Sequence, residues 1–263
     1  LKGKSESLRK YGYDGFYTDF NKSKFDGGVY KCCDSYNSKY NELEGKYFKV
    51  LDIIKHPKAD ESEYLYGKKY YLKLQEKLSS DIVYFEYDTE FEHTFPFIVV
   101  GFFEKLKQQA VGQKFVFGNT KLRFGDDELD VKTGKKIVFE LGEKWECVDV
   151  TIEEQYYNLS LLLKDNDGQT MTIGYEMAIG PGKFHDVFTD KEAEKYKARF
   201  GLDIWNTILQ GKVRIGMTKE MCRLSWGDPE KINETITTKK KSEQWVYTDN
   251  YIYFDNGKLT AIQ

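Results

Sequence analysis

The residues best suited to catalysis or metal binding are few and widely spaced. The chain has three histidines, His56, His93 and His185, and four cysteines, at positions 32, 33, 147 and 222. No CxxC pair occurs, and no histidine accompanies the cysteines at the spacing of a zinc site. Neighbouring residues cannot assemble a Cys–His or Ser–His pair for nucleophilic catalysis. The sequence therefore predicts no catalytic residue, no metal site and no organic cofactor.

The cysteines are better explained as free thiols than as metal ligands. Cysteine often serves as a small core hydrophobe, so we expect all four to be free and either buried or partly exposed. Cys32 and Cys33 are adjacent in the chain, and adjacent cysteines do not easily pair with each other. The alternative is a disulfide that joins one of them to Cys147.

Three segments resemble ligand-binding loops only in part. Gly180-Pro181-Gly182-Lys183 lacks the spacing of a phosphate-binding loop. Asp165 to Glu176 has acids at the first, third and twelfth positions of an EF-hand loop, but Gly168 falls at the fourth position instead of the sixth. Asp126 to Asp130, followed by Thr133-Gly134, offers carboxylates to calcium, although solvated loop carboxylates are commoner. We predict turns at all three places.

Composition indicates a strand-rich globular protein with more than one domain. The chain has 263 residues, which exceeds the usual size of one domain, and its 16% aromatic share favours strands. A net charge of -3 provides no positive field for nucleic acid. The longest apolar run, Phe95 to Phe103, is far shorter than the roughly 20 residues of a membrane-spanning helix. We therefore expect neither nucleic-acid binding nor a transmembrane segment.

One sequence pattern occurs twice. Gly45 to Ile53 returns as Gly142 to Val150, with Gly, an aromatic, an aliphatic, Asp and a β-branched residue at the same offsets. Alternating apolar residues and then a Glu-Lys-x-Lys segment follow each copy in the same order. Two copies of one supersecondary unit are the simplest explanation. We predict that residues 45–112 and 142–201 form superposable repeats.

Each repeat is expected to contain several strands and one short helix, with Phe48 and Trp145 in equivalent core positions. In the second repeat, a turn at Asp165 to Gly168 separates two alternating strands. Thr189 and Glu192 form the sequence pattern of a capping box before the helix, which Gly201 ends. Small bent sheets of this size commonly close into SH3-like partial barrels, so we predict barrel-like repeats.

These patterns divide the chain into four segments. An aromatic N-terminal arm, residues 1–41, is expected to dock on the first repeat. The first β repeat covers 42–118, the second covers 119–205, and an α+β module covers 206–263. The predicted fold class is α+β, mainly β: two tandem SH3-like repeats, each with a short helix, followed by one helix and a three-stranded antiparallel sheet.

The C-terminal module is predicted from residues that start and end a short helix and from the strands that follow it. Thr218 is a suitable N-cap, Gly227 can end the helix in a left-handed conformation, and Pro229 blocks its continuation. Strands follow around Gln244 to Tyr247 and Tyr251 to Leu259. This order resembles the SmpA/OmlA-like family, which is known from a small lipoprotein of bacterial outer-membrane assembly, and it is similar to the repeats of a secreted β-lactamase-inhibitor protein.

The resemblance covers about a fifth of the chain. It implies a helix packed on a small sheet, and a protein that is exported or belongs to the bacterial envelope. Here the module follows two large repeats, and no lipid-attachment cysteine lies near Leu1. A role in outer-membrane assembly therefore does not carry over. Because the chain begins at Leu1 without Met, we expect that an upstream leader has been removed.

A type I′ turn at Asn256-Gly257 would set the register of the last hairpin. It would pair Phe254 with Leu259 and Ile252 with Ala261. The side facing the helix would then carry Trp245, Tyr247, Ile252, Phe254, Leu259 and Ala261. The opposite side would carry an apolar outer ridge, which comprises Val246, Tyr251, Tyr253 and Ile262. We expect the preceding repeat to cover this ridge; the functional alternative is that the ridge binds a partner.

These observations favour a non-enzymatic interaction or scaffolding protein with a protein partner. The alternative is a carbohydrate-binding accessory module with a carbohydrate or cell-wall ligand, because the Tyr-rich stretch from Tyr11 to Tyr17 offers rings on which sugars stack. A third possibility is a hydrolase whose carboxylate pair converges from distant strands. A periplasmic, outer-membrane-associated or secreted location is expected in preference to the cytoplasm.

Overall fold

The computed structural model describes residues 1–22, 24–56, 59, 70–90, 95–120, 128–153, 158–236 and 241–263. In this part the chain is a mixed α+β protein, in which strands, at 35%, exceed helices, at 22%. This level of the predicted fold class is confirmed. None of the described helices is both long and apolar enough to span a membrane. The chain divides into two compact units, Leu1–Phe103 with Ile152–Asn158, and Glu104–Thr151 with Leu159–Gln263.

The first unit is built on a four-stranded antiparallel sheet. Its strands, in sheet order, are β1 (Phe16–Tyr17), β6 (Ile82–Tyr87), β5 (Tyr70–Glu76) and β4 (Phe48–Lys55). A separate ribbon and two short helices precede β4 in the chain. They are β2 (Cys32–Asp34), β3 (Asn37–Ser38), α1 (Glu6–Arg9) and α2 (Tyr40–Leu43).

The N-terminal arm is part of the core of this unit. Phe16 lies opposite Phe85 in the sheet, and the two ring centroids are 4.9 Å apart. Other side chains of the arm are buried in the same core as β5 and β6; they are Tyr13, Tyr30 and Tyr40, and Leu43 joins them just after the arm. The prediction that the arm docks on the first repeat is confirmed.

The second unit contains a five-stranded sheet and most of the helices. In sheet order its strands are β10 (Thr170–Gly174), β9 (Leu159–Lys164), β8 (Trp145–Ile152), β7 (Lys114–Phe117) and β11 (Val187–Thr189). Helix α3 (Val100–Ala110) precedes the sheet in the chain. The later helices are α4 (Tyr175–Ala178), α5 (Asp190–Phe200), α6 (Leu202–Leu209) and α7 (Lys219–Trp226).

Both units contain the same three-strand meander. Strands β4, β5 and β6 are followed by α3, and strands β8, β9 and β10 are followed by α5 after a short insertion. The sheets are extended at different edges, because β1 lies beside β6 whereas β7 lies beside β8. Neither sheet closes into a barrel within the described ranges, so the predicted closure is not observed. Closure would require the edge strands to pair, and β1 has only two residues.

Phe48 and Trp145 both begin the first strand of a meander. Phe48 is only partly buried, and its ring centroid lies 6.1 Å from that of Phe16. Trp145 is fully buried, and its ring centroid lies 5.7 Å from that of Phe139. The two residues therefore occupy equivalent strand positions with different degrees of burial.

The local helix signals of the second unit are confirmed. The Thr189 hydroxyl accepts the backbone N–H of Glu192 in a capping box, and α5 ends at Gly201. The Thr218 hydroxyl accepts the backbone N–H of Met221, and α7 ends at Gly227, whose φ of 79° suits glycine. Helix α6, which follows α5 directly, was not predicted.

The C-terminal module has one strand more than predicted. Four strands pair in sequence order: β12 (Lys231–Ile236), β13 (Lys241–Val246), β14 (Tyr251–Asp255) and β15 (Lys258–Ile262). The type I′ turn is confirmed, since Asn256 and Gly257 have φ values of 46° and 81°. Phe254 lies opposite Leu259, as predicted.

A β-bulge between Tyr253 and Phe254 makes the rest of the predicted register wrong. Ile252 pairs with Ile262, and Ala261 instead lies opposite Tyr253. Because a shift of one residue moves a side chain to the other face, Ala261 belongs to the outer side and Ile262 to the helix-facing side.

One continuous core joins the C-terminal sheet to the five-stranded sheet. Trp245, Ile252, Phe254 and Leu259 are buried in it, and Met221 and Leu224 of α7 pack against it. The other sheet and its helices contribute Val116, Phe188, Ala193, Trp205, Ile208 and Leu209. The five-stranded sheet and its helices therefore pack on the helix-facing side of the C-terminal sheet. The expected cover of the outer ridge by the second repeat is not observed in the described part of the chain, where all four ridge residues are partly or well exposed.

The cysteines also differ from expectation. Cys32 and Cys33 are joined to each other by a disulfide, and the peptide bond between them is cis. Cys147 and Cys222 are buried thiols, and burial raises the pKa of Cys222 to about 12. The link to Cys147 is wrong because that thiol is enclosed in the second unit, where it donates to the Asp149 carbonyl at 3.3 Å.

Candidate functional site

The candidate site is the outer face of the C-terminal sheet, which is the side opposite α7. Val246, Tyr251 and Tyr253 of the predicted ridge lie on this face. Tyr251 is 41% exposed, and the other two are partly buried. Ile262 is 43% exposed but lies on the other side, as its pairing with Ile252 requires. The structure therefore brings together three of the four predicted ridge residues.

A row of polar side chains crosses the outer face. Asn233 Nδ2 donates to Gln244 Oε1 at 3.0 Å, Gln244 Nε2 donates to Tyr253 Oη at 3.0 Å, and Tyr253 Oη donates to Gln263 Oε1 at 2.9 Å. The first three residues lie directly opposite one another on β12, β13 and β14. We call these four residues the amide row.

The amide row lies between an apolar pair and a second polar pair. Val246 and Tyr251 are opposite each other on one side of it. On the other side, Ser242 Oγ donates to Asp255 Oδ1 at 2.6 Å. The outer face therefore presents a ring, fixed amides and a hydroxyl, with little charge at its centre.

Buried contacts on the helix-facing side of the C-terminal sheet fix the strands that carry the outer face. Trp245 Nε1 donates to Glu243 Oε2 at 3.0 Å, and the buried Glu243 carboxylate also pairs with Lys219 and Lys241. Burial opposes ionisation, but the hydrogen bonds from Lys219, Trp245 and Lys241 outweigh it and lower the pKa of Glu243 to about 2. Arg223 lies over the Trp245 ring, 4.4 Å from its centroid.

The acidic loop has a structural role. Asp130 is buried, accepts the backbone N–H of Thr133 at 2.6 Å and accepts the hydroxyl of Thr170 at 3.0 Å. Hydrogen bonds from Thr133 and Thr170 hold the pKa of Asp130 well below its usual range. The predicted turn at Thr133-Gly134 is confirmed, but Asp130 is enclosed and not solvated. Asp126 and Asp127 lie outside the described residues.

The other candidate loops are turns. Asp165 to Gly168 connects β9 to β10, and Gly180 to Lys183 follows α4. His56 stacks on Tyr71 in the first unit, His185 belongs to the second, and His93 lies outside the described residues. In the part of the chain that is described, no group of three or more His, Cys, Asp or Glu residues is arranged to hold a metal.

The second unit also has an open cleft of about 510 Å³. Its lining residues are Gln109, Gln113, Ala178, Ile179, Lys183 and Thr189. The Lys183 ammonium pairs with Glu192 at 2.7 Å, and the Gln113 side chain donates to the Gln109 carbonyl at 2.8 Å. The charged group of the cleft and the side-chain amide nitrogen of Gln113 are thus already engaged within the protein.

Sequence reasoning identified the aromatic part of the outer face and missed most of the amide row. Alternation around Trp245 placed Val246, Tyr251 and Tyr253 on one side. Asn233 was missed because β12 is exposed along its whole length and has no apolar alternation on a buried face. The chain as a whole matches no family model, no curated protein and no solved structure.

Proposed function

We propose that this chain is a non-catalytic interaction protein that binds a protein partner through the outer face. One observation carries the proposal: the rest of the second unit leaves this face uncovered, although the opposite side is fully built into a core. Exposed apolar and aromatic groups on an otherwise well-packed unit are typical of binding surfaces.

The chemistry of the outer face suits a protein interface. The Tyr251 ring and Val246 offer apolar area, and Tyr is enriched where proteins meet because one end of its side chain is apolar and the other polar. The amide row offers donors and acceptors that are already ordered by their mutual hydrogen bonds. A partner would therefore lose little additional side-chain entropy on binding.

The non-catalytic part of the proposal is supported by the roles of the buried acids. Asp130 holds a turn, Asp165 accepts the backbone N–H of Gln169 at 2.8 Å, and Glu243 anchors Trp245. Each of these carboxylates is engaged in holding local structure. A hydrolytic carboxylate pair would have to come from other acids.

Tyr251→Glu tests the proposal. The variant and the wild type would be used to capture partners from a bacterial envelope extract, and binding to the purified captured protein would then be measured by calorimetry. We expect at least a roughly tenfold loss of affinity, as for an interface anchor. Tyr36→Glu is the matched control, since Tyr36 is an exposed tyrosine of the first unit. Equal affinities for both variants would exclude the outer face as the binding surface.

Carbohydrate binding is the second candidate, and the outer face now provides its main support. Tyr13 and Phe16 of the N-terminal stretch are buried in the core, so that stretch no longer motivates it. The exposed Tyr251 ring beside the amide row provides a stacking surface next to amide donors and acceptors, which is the chemistry that sugar hydroxyls require. Co-sedimentation with purified peptidoglycan that Tyr251→Glu abolishes would favour this candidate over a protein partner.

The proposal also covers the family of the C-terminal module and the cellular location of the chain. We propose that the C-terminal module is SmpA/OmlA-like and that the chain acts in the bacterial envelope or after export. A helix followed by a sequential antiparallel sheet supports the first point. We further propose that the two meanders are copies of one duplicated unit, supported by their shared strand order. Cell fractionation with an antibody to the chain tests the location.

A further inference from the structure

Strand β4 is a free edge of the first sheet. It pairs with β5 on one side, and no other strand in the described ranges pairs with its other side. Val50, Leu51 and Ile53 are 54%, 42% and 62% exposed. An apolar edge strand of this length exposes backbone groups that can pair with another strand.

A β-bulge between Val50 and Asp52 determines which side of the sheet each side chain of β4 faces. Before the bulge, Val50 lies opposite the buried Leu74; after it, Ile53 lies opposite the buried Leu72. Directly opposed residues share a face, so Val50 and Ile53 are both on the core side of the sheet.

Two charged residues of β4, Lys49 and Asp52, lie on the other side, whereas Lys55, opposite Tyr70 at the end of the strand, lies on the side of Ile53. Lys49 is opposite Gln75, and Asp52 is opposite Lys73. Both Lys49 and Asp52 are exposed. The bulge therefore places Val50 and Ile53 on one side of the edge and Lys49 and Asp52 on the other.

We propose that β4 pairs antiparallel with β4 of a second copy of this chain, about a two-fold axis between Val50 and Leu51. In this register, Lys49 lies opposite Asp52 of the second copy, and Phe48 lies opposite Ile53 of the second copy. Each pair occurs twice because of the two-fold symmetry. Opposite charges and apolar residues therefore meet on their own sides of the joined sheet.

Charge complementarity selects this register. An axis through Asp52 would place Asp52 against itself, and like charges directly opposite are destabilising. The selected axis avoids this contact. In a strand without a bulge, an axis between two residues would oppose residues from different sides. Because of the bulge, residues that face the same side of the sheet lie opposite each other when β4 pairs with β4 of a second copy.

Asp52 controls access to this edge. In the single chain its Oδ1 accepts the backbone N–H of Ile53 at 2.8 Å, which satisfies one donor of the free edge. When two copies pair, the Ile53 N–H donates to the Phe48 carbonyl of the second copy, and the Asp52 carboxylate turns to Lys49 of the second copy. Pairing therefore exchanges one hydrogen bond of the Ile53 N–H for another. This surface lies in the first unit and is independent of the outer face.

Sedimentation velocity of the full 263-residue chain over a wide concentration range tests the proposal. We expect a monomer–dimer equilibrium for the wild type. Asp52→Lys and Lys49→Asp should each weaken association at least about tenfold, because each turns two attractive pairs into repulsive ones. The double variant Lys49→Asp/Asp52→Lys should restore it. Lys258→Asp, an exposed charge on a strand of the other unit, should leave association unchanged.

Hydrogen exchange gives a second readout. The backbone amides of Phe48 and Ile53 should exchange more slowly in the dimer than in the monomer. A wild type that remains monomeric overturns the proposal, and so does a dimer that both single variants leave intact. Failure of the double variant to restore association while its melting curve is normal would also overturn it.

Discussion

Asp52 and Asp149 make the same hydrogen bond in the two meanders. The Oδ1 of each accepts the backbone N–H of the residue that follows it, at 2.8 Å from Ile53 and at 2.7 Å from Val150. The repeated Asp and the β-branched residue after it therefore have a common structural role, which is to satisfy a strand donor with a local carboxylate. Asp149 also forms an ion pair, with Lys107 at 2.7 Å, whereas Asp52 has none among the residues that the structure describes.

Asp149→Ala should destabilise the protein more than Asp52→Ala does. The Lys107 ammonium beside Asp149 holds the pKa of that carboxyl below its usual value, so its stabilisation is present above the unfolded pKa and is lost as pH falls through the folded pKa. Both partners are well exposed, which limits the difference to about 0.5 kcal/mol. Urea melts at neutral and acidic pH provide the measurement. A difference that persists after both carboxyls are protonated would contradict this account.

Trp145→Ala should lower the free energy of unfolding by about 3 to 5 kcal/mol, because the ring is fully buried. Trp145→Phe is the control that keeps an aromatic ring but loses the indole N–H, which donates to Glu143 Oε1 at 2.5 Å, and part of the buried ring; it should cost less than the alanine variant. Denaturant melts monitored by circular dichroism measure both. A loss below about 1 kcal/mol for the alanine variant would mean that the ring is not part of the core.

Glu143→Gln should make the protein more stable at neutral pH. Burial raises the pKa of Glu143 to about 7, so the folded protein holds a proton that the unfolded chain releases near a pKa of about 4.3. That stabilisation is fully present below the unfolded pKa and is lost as pH rises to about 7. After discounting for partial exposure we expect a gain of about 1 kcal/mol. The gain should vanish in acid; an equal gain at both pH values would refute the assignment.

Tyr253→Glu should cost little stability, because the outer face is uncovered within its unit and the new carboxylate stays hydrated. We expect a loss of about 1 kcal/mol, mostly from the hydrogen bonds to Gln244 and Gln263. Phe254→Ala, one residue away but buried on the opposite side, should cost about 3 to 5 kcal/mol. Thermal melts compare the two. Similar losses would show that the outer face is covered after all.

The candidate site could be predicted only in part. Alternation and the Asn256-Gly257 turn place Tyr251 and Tyr253 on one side of a strand, because both signals involve near neighbours in the chain. Asn233 and Gln263 join them only through sheet pairing and hydrogen bonds to other strands. A polar strand such as β12 has no periodicity that reveals which residues it will oppose.

The sequence by itself determined the local elements of this protein. The capping box of Thr189 and Glu192, the N-cap Thr218 and the turn at Asp165 to Gly168 all appear where they were predicted. These signals work because a side chain satisfies a backbone group only a few residues away.

Only the tertiary structure decided which faces and edges these elements present. The bulge at Tyr253 exchanged the faces of Ala261 and Ile262, and Asp130 found its partner in the distant Thr170. The order of the meander strands was predictable, but not the strands that extend each sheet. Such pairings depend on contacts between residues far apart in the chain, and hydrophobic periodicity within one segment carries no information about them.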